Sequence, residues 1–184
     1  MVDFEYDYLL RAARQIKYGL EKLTLDSSPA FRKVQTNIYP LGSSYPWAGI
    51  YPGGGQLGSN EPSDSDAEQQ RFNVVIRIYI GKASEKLDGR LLDALWLYEP
   101  LVMNWINQHP DLVFGATQAT DMNTEYSDMS FDFAHIAELE PDGVICNVVS
   151  RFGVFRDQQD HLGIELAVQL PFNVLIDQPH YVDS

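Results

Sequence analysis

The sequence predicts an α+β fold, with a largely antiparallel sheet and with an N-terminal helix and a long central helix packed on one face. Three patterns predict it. Apolar and other residues alternate through residues 71–81, which indicates a strand with one apolar face. Over residues 87–106 the apolar positions recur at steps of three and four, as on a helix. Residues 144–155 and 162–170 alternate again around a polar turn, which predicts a hairpin.

The other elements follow from shorter patterns. Residues 3–23 predict an amphipathic helix, with acids in its first turn and bases further along, as the helix dipole favours. Short strands are predicted over residues 34–39, 47–51, 112–116 and 129–137. Within the central helix, Pro100 removes a backbone hydrogen bond. We therefore expect this helix to kink or restart near Tyr98.

Length and composition predict a single domain over residues 1–184. The chain is 45% hydrophobic, enough for a core of its own. Residues 52–70 are rich in Gly, Pro, Ser and acids, which predicts a long mobile loop. The residues from Asp177 onward predict an extended tail. The N-terminus is acidic, which argues against a targeting segment. The chain has no long apolar run, which argues against a membrane span.

The charge distribution is strongly uneven. The net charge is −13, and residues 101–184 hold only Arg151 and Arg156 against 13 acids. Such a surface repels phosphate groups, so we expect no tight binding of nucleic acid. A solvated acidic surface that aids solubility explains the same pattern.

Two motifs match known ligand-binding patterns in residue type and spacing. The glycines at positions 53, 55 and 58 match a dinucleotide fingerprint, but the chain continues with prolines and acids where the motif needs a helix. The series Asp121, Asn123, Glu125 and Asp132 resembles a calcium loop, although Tyr126 stands where that loop needs glycine. An ion bound within residues 111–142 therefore stays an alternative, beside a solvated acidic loop.

No catalytic constellation emerges from the remaining reactive residues. The single cysteine, Cys146, lies in an apolar strand pattern, which predicts a buried inert thiol. The histidines show no paired spacing suited to a metal; they are His109, His135, His161 and His180. We therefore predict a non-enzymatic protein without a cofactor or metal, with an unrecognised hydrolase as a more distant alternative.

The order of elements resembles a known family. An N-terminal helix leads through a Pro-rich turn to the strand Trp47-Ala-Gly-Ile-Tyr-Pro52, and then to an acidic loop, the strand at 71–81, a long helix ending near Trp105 and a closing hairpin. This layout is similar to that of the tail terminator proteins of long-tailed bacteriophages. One departure is the length and acidity of residues 112–142.

The resemblance implies a mixed α/β subunit that forms a homohexameric ring on the last ring of the tail tube. Such a ring stops tube polymerisation, offers a surface to the head–tail connector or neck proteins, and lets DNA pass through it. It implies a place in the tail or neck of the virion, and in the host cytoplasm during assembly. The alternatives are a head–tail joining (neck) subunit and a small acidic ligand- or calcium-binding domain.

Three aromatic residues are predicted to lie at the subunit interface: Trp47, Tyr51 and Tyr79. They fall beside the predicted mobile segments or on the second face of a strand. We expect a monomer to leave them partly exposed, and contiguous exposed aromatic surface usually marks an interface.

Overall fold

The computed structural model describes residues 4–37, 45–53, 56–57, 67–82, 89–128, 145–155 and 161–175. In chain order the elements are α1 (Phe4–Lys22), β1 (Thr24–Leu25), β2 (Ser28–Pro29), β3 (Lys33–Gln35), β4 (Trp47–Pro52), β5 (Gln56–Leu57), β6 (Ala67–Lys82), α2 (Gly89–Asn107), α3 (Gln118–Glu125), β7 (Ile145–Phe155) and β8 (His161–Leu175).

One six-stranded sheet forms the centre of the fold. Its strands follow the order β3-β4-β6-β8-β7, and β5 pairs with β6 outside this path. The β3–β4 pairing is parallel, whereas β4–β6, β5–β6, β6–β8 and β7–β8 are antiparallel. The predicted α+β fold with a largely antiparallel sheet is confirmed, as is the closing hairpin formed by β7 and β8.

Both long helices pack on one face of this sheet. The alternating residues Val74, Ile76 and Ile78 of β6 are fully buried there. They share one hydrophobic cluster with residues of α1 and α2, which include Ile16, Leu20, Val102 and Ile106. Each such side chain contributes roughly 1.5–3 kcal/mol by leaving water. The apolar face predicted for residues 71–81 is therefore the core face.

The central helix continues through Pro100, so the predicted restart near Tyr98 is wrong, while a kink there stays a prediction. Helix α2 is one element from Gly89 to Asn107, with Pro100 inside it. Proline cannot donate a hydrogen bond to the carbonyl four residues earlier, which belongs to Trp96. Both Pro100 and Trp96 lie on the exposed side of α2, where water can bond that carbonyl, so the helix persists.

The segment after α2 differs from the prediction. Residues 112–116 form no strand, and a short helix, α3, follows them. The buried side chain of Gln118 accepts a hydrogen bond from the Phe114 N–H at 2.6 Å and donates one to the Leu112 carbonyl at 2.9 Å. One side chain thus satisfies backbone groups that a strand would have had to pair with a neighbour.

Parts of the predicted loop at residues 52–70 are strands. Strand β5 occupies Gln56–Leu57, and β6 begins at Ala67, four residues earlier than the alternation indicated. The pairing of residues 67–70 with β8 accounts for this extension. Residues 54–55 and 58–66 of that loop, the strand predicted at 129–137 and the tail from residue 177 lie outside the described residues.

Candidate subunit interface

The three predicted interface residues lie on one face of the sheet, opposite the helices. Trp47 of β4 stands directly across from Tyr79 of β6, and Tyr51 lies further along β4 across from Val75. The ring centroids of Trp47 and Tyr79 are 4.9 Å apart, with the planes tilted by 55°. We call this the second sheet face; its described members include Lys33, Gln35, Trp47, Gly49, Tyr51, Asn73, Val75, Arg77, Tyr79, Asn147, Gly163, Glu165, Ala167 and Gln169.

The expected exposure of Trp47 and Tyr79 is wrong. Trp47 is 1% exposed and Tyr79 is 0% exposed, whereas Tyr51 is half-buried. Glycine makes room for the two buried rings. A Cβ added at Gly49 would lie 2.6 Å from the Trp47 indole, so that ring lies across the bare backbone of Gly49. Tyr79 in turn stands opposite Gly163 of β8.

A charged pair lies next to these rings. Arg77 donates from Nε and Nη2 to Glu165 Oε2, at 2.9 and 2.6 Å. The Tyr51 hydroxyl donates to the same carboxylate oxygen at 3.0 Å, and Arg77 Nη1 donates to the Tyr79 hydroxyl at 3.4 Å. The arginine and glutamate side chains are only 17% and 18% exposed, so the pair is largely shielded from water.

The protonation state of Tyr51 follows from this setting. Burial raises the pKa of the Tyr51 hydroxyl; Arg77 acts in the opposite direction, while the Glu165 carboxylate raises it further. The net shift is upward, so Tyr51 stays a neutral hydrogen-bond donor to Glu165 near neutral pH. The arrangement holds an arginine and a tyrosine in place and brings together no nucleophile and base.

Beside this pair the second sheet face is only half-buried. Val75 and Ala167 stand opposite each other on β6 and β8, and both are half-buried. The next residue across the sheet, Asn147 of β7, is exposed. Small side chains between ordered polar ones make this a surface against which another protein could pack closely.

A second apolar surface lies on the outer side of α2. Trp96 is 71% exposed and Leu97 is 44% exposed. Pro100, one turn after Trp96, is also exposed. A large exposed tryptophan next to an exposed leucine is typical of interaction surfaces.

The positions that resemble a calcium loop lie on a helix. Asp121, Asn123 and Glu125 belong to α3, whereas a calcium loop needs an open turn. Asp121 accepts a hydrogen bond from the Tyr18 hydroxyl at 2.7 Å, and Glu125 accepts one from Lys17 Nζ at 2.7 Å. Asp132 lies outside the described residues. Among the side chains that the structure describes, no group of three or more His, Cys, Asp or Glu could hold a metal ion.

The other candidate residues have structural contacts. Cys146 is a free, buried cysteine, and burial raises the pKa of its thiol to about 12, as predicted for an inert thiol. His109 places Nδ1 2.7 Å from the Trp105 carbonyl and packs on the Trp105 ring. Gly53 donates its N–H to the Asn73 carbonyl at 2.7 Å, and positions 55 and 58, His135 and His180 lie outside the described part.

Sequence reasoning missed the Arg77–Glu165 pair. The available signal was one charged residue on the non-core side of each of two adjacent strands, with opposite signs. The contact could be predicted only with the register of β6 against β8, because this register places Arg77 directly opposite Glu165.

Comparison with known proteins identifies no family. No protein-family model matches the chain, and no curated protein is similar to it. Within the described residues, no helix has both the length and the apolar character needed to cross a membrane.

Proposed function

We propose that this protein is a structural virion subunit of the tail-terminator type. It forms a homo-oligomeric ring, most simply a hexamer, that caps the tail tube, stops its polymerisation and joins it to the head or neck. The observation that carries the proposal is the second sheet face, which combines half-buried Tyr51 and Arg77 with the small residues Val75 and Ala167. Tyrosine and arginine are enriched in protein interfaces.

The order of this face before assembly favours association. Arg77 is held by Glu165, and Tyr51 is held by the same carboxylate. Side chains that are already fixed lose less conformational freedom when a partner binds. The guanidinium also lies 5.1 Å from the centroid of the Tyr51 ring, which further restrains both groups.

A ring needs two different surfaces on each subunit. The second sheet face supplies one surface, and the outer side of α2 with Trp96 and Leu97 supplies the other. Contact between unlike surfaces of successive copies is heterologous, and cyclic symmetry closes it without open fibres. The absence of Lys and Arg between Arg90 and Arg151 would give DNA a non-adhesive passage.

The experiment adds purified protein to growing tail tubes of the same virus and images tube lengths and tips by electron microscopy. We expect shorter tubes with capped tips. Ala167→Lys places a charge in the middle of the second sheet face and should abolish capping, because an unpaired charge is costly in an interface. The matched control, Ala116→Lys, changes an exposed loop residue and should cap as well as the wild type.

The outcomes separate the proposal from its alternatives. Tubes that keep growing with bare tips in the presence of wild-type protein contradict a terminator function. Binding to head connectors without any effect on tube length indicates a joining subunit instead. Calcium binding by calorimetry, with no effect on tubes, supports the acidic ion-binding domain.

A further inference from the structure

The outermost strand β3 lies beside a cavity of about 530 Å³. Its lining includes Val34, which faces the core, and Lys33 and Gln35, which point to the second sheet face. Lys17 and Glu21 of α1 complete one side. Because residues from both faces of the strand line the same cavity, it runs along the edge of β3 that faces away from β4.

The two outer strands of the sheet differ at their edges. On β7, the Asn107 side chain accepts a hydrogen bond from the Cys146 N–H at 2.8 Å and donates one to the Cys146 carbonyl at 3.4 Å. This contact covers the edge of β7 at Cys146. On β3 the outer edge borders the cavity instead of a capping side chain, and no described strand pairs with that edge. Alternate residues of an edge strand direct their N–H and C=O groups outward, where an added strand can bond them.

The cavity is basic in an acidic protein. Its charged lining consists of Lys17, Arg32 and Lys33 against Glu21. Lys17 is paired with Glu21 at 3.1 Å and with Glu125 at 2.7 Å. Arg32 and Lys33 form no ion pair within the described part of the chain. Among the described residues, two cations without an ion-pair partner therefore flank an edge of β3 that no described strand pairs with, while the whole chain carries −13.

We propose that the free edge of β3 binds an extended acidic segment of a partner protein, which adds to the sheet as a further strand. The segment's backbone bonds the edge of β3, and its carboxylates lie against Arg32 and Lys33. Charged residues on edge strands also serve to prevent unwanted pairing. Preventing unwanted pairing requires only the charges. Here a cavity large enough for side chains also lies beside Arg32 and Lys33, which favours binding of a further strand. This inference concerns the outer edge of β3, which borders the second sheet face at Lys33 and Gln35, and it does not depend on ring formation.

The first test uses a fluorescent nine-residue glutamate–valine peptide that repeats Glu-Glu-Val, so that both faces of the added strand carry carboxylates, titrated with the full-length protein. We expect saturable binding that weakens with salt, and no binding of the matching lysine–valine peptide. Arg32→Glu should weaken binding about tenfold or more, since reversing a charge replaces attraction with repulsion. The matched control is Lys22→Glu, an equal charge change at another exposed position, and it should bind within about twofold of the wild type.

The second test examines strand addition directly and needs no protein variant. Two versions of the glutamate–valine peptide carry N-methyl groups on alternate residues, one set for each edge of the peptide. The version methylated on the bonding edge should not bind, the other should bind normally, and hydrogen exchange of the β3 amides should slow in the complex. Equal binding of both versions, equal effects of Arg32→Glu and Lys22→Glu, or binding of the lysine–valine peptide overturns the proposal.

Discussion

Trp105 donates a hydrogen bond from its indole nitrogen to the backbone carbonyl of Gly19 across 2.9 Å. This bond joins the last turn of α2 to the last turn of α1. Gly19 also faces Phe114, whose ring lies 2.5 Å from the place that a Cβ at Gly19 would occupy. The Phe114 ring in turn packs on Trp105, with centroids 5.8 Å apart. The missing side chain at position 19 therefore lets two helices and the segment after α2 meet.

We predict that Gly19→Ala lowers the free energy of unfolding by about 1 kcal/mol. In an open helix the same change would stabilise by about 1 kcal/mol, but overpacking against Phe114 costs about 1–3 kcal/mol. Urea denaturation measures the difference. Adding Phe114→Leu should recover part of the loss by making room for the new methyl group. A stabilised Gly19→Ala variant would show that the contact with Phe114 relaxes without cost.

We predict that Ile78→Asp abolishes soluble folding. Ile78 is 0% exposed and belongs to the cluster shared by both helices and the sheet. An unpaired carboxylate there costs several kcal/mol, comparable to the whole stability of a domain. Soluble yield and circular dichroism provide the readout, with Ala116→Asp at an exposed site as the control. A soluble Ile78→Asp protein with a cooperative melt would contradict the assignment of the core face.

We predict that Asn107→Ala lowers the free energy of unfolding by about 1–3 kcal/mol. The change removes two hydrogen bonds to the partly buried backbone of Cys146, and each such bond contributes roughly 0.5–1.5 kcal/mol. Chemical denaturation should show no comparable loss for Asn104→Ala, because this asparagine, one turn earlier and exposed like Asn107, does not bond Cys146. Similar stability of the two variants would mean that water replaces the Asn107 amide.

We predict that acid weakens the contact between α3 and α1. The Tyr18 hydroxyl lowers the pKa of Asp121, and the Arg14 guanidinium lowers the pKa of Asp128. Burial alone would raise the pKa of Glu125, but hydrogen bonds from Lys17 and Tyr126 reverse that shift. All three carboxyl groups therefore bind protons less readily in the folded state than in the unfolded state.

The sign of the pH effect follows from these shifts. Groups with a lowered folded pKa contribute stability above their unfolded values, here 3.8 for Asp and 4.5 for Glu, and lose it as the pH falls through the folded pKa. Urea denaturation between pH 7 and pH 3 should show a falling free energy of unfolding below about pH 4.5. The double variant Arg14→Met, Lys17→Met should show a flatter profile, and an unchanged profile would contradict this account.

The main elements could be predicted from the sequence because their patterns are local and repeated. Alternation through residues 71–81 places Val74, Ile76 and Ile78 on one face, and the structure buries all three. Helix α3 lacks such a pattern. Among its eight residues only Gln118 and Met122 are buried, so it is held by contacts to α1 and Phe114 that no local period reveals.

The three residues of the predicted interface share a face, but the expected exposure is wrong for Trp47 and Tyr79, and the interface itself stays a prediction. Alternation within β4 and β6 groups Trp47, Tyr51 and Tyr79, but it does not show what lies beneath each ring. The indole of Trp47 lies across Gly49, a contact with the neighbouring backbone that depends on a side chain being absent. The Arg77–Glu165 bond likewise depends on a register between strands 88 residues apart in the chain.

The buried thiol of Cys146 can report the opening of the structure. Its thiol is the only one in the chain, it is 1% exposed, and its backbone is tied to α2 through Asn107. A thiol-reactive dye can therefore label the protein only when β7 separates from α2, and each opened molecule takes up one dye. When the dye reacts faster than the site recloses, the rate of labelling equals the rate of opening, even in assemblies where spectroscopic signals from individual components overlap.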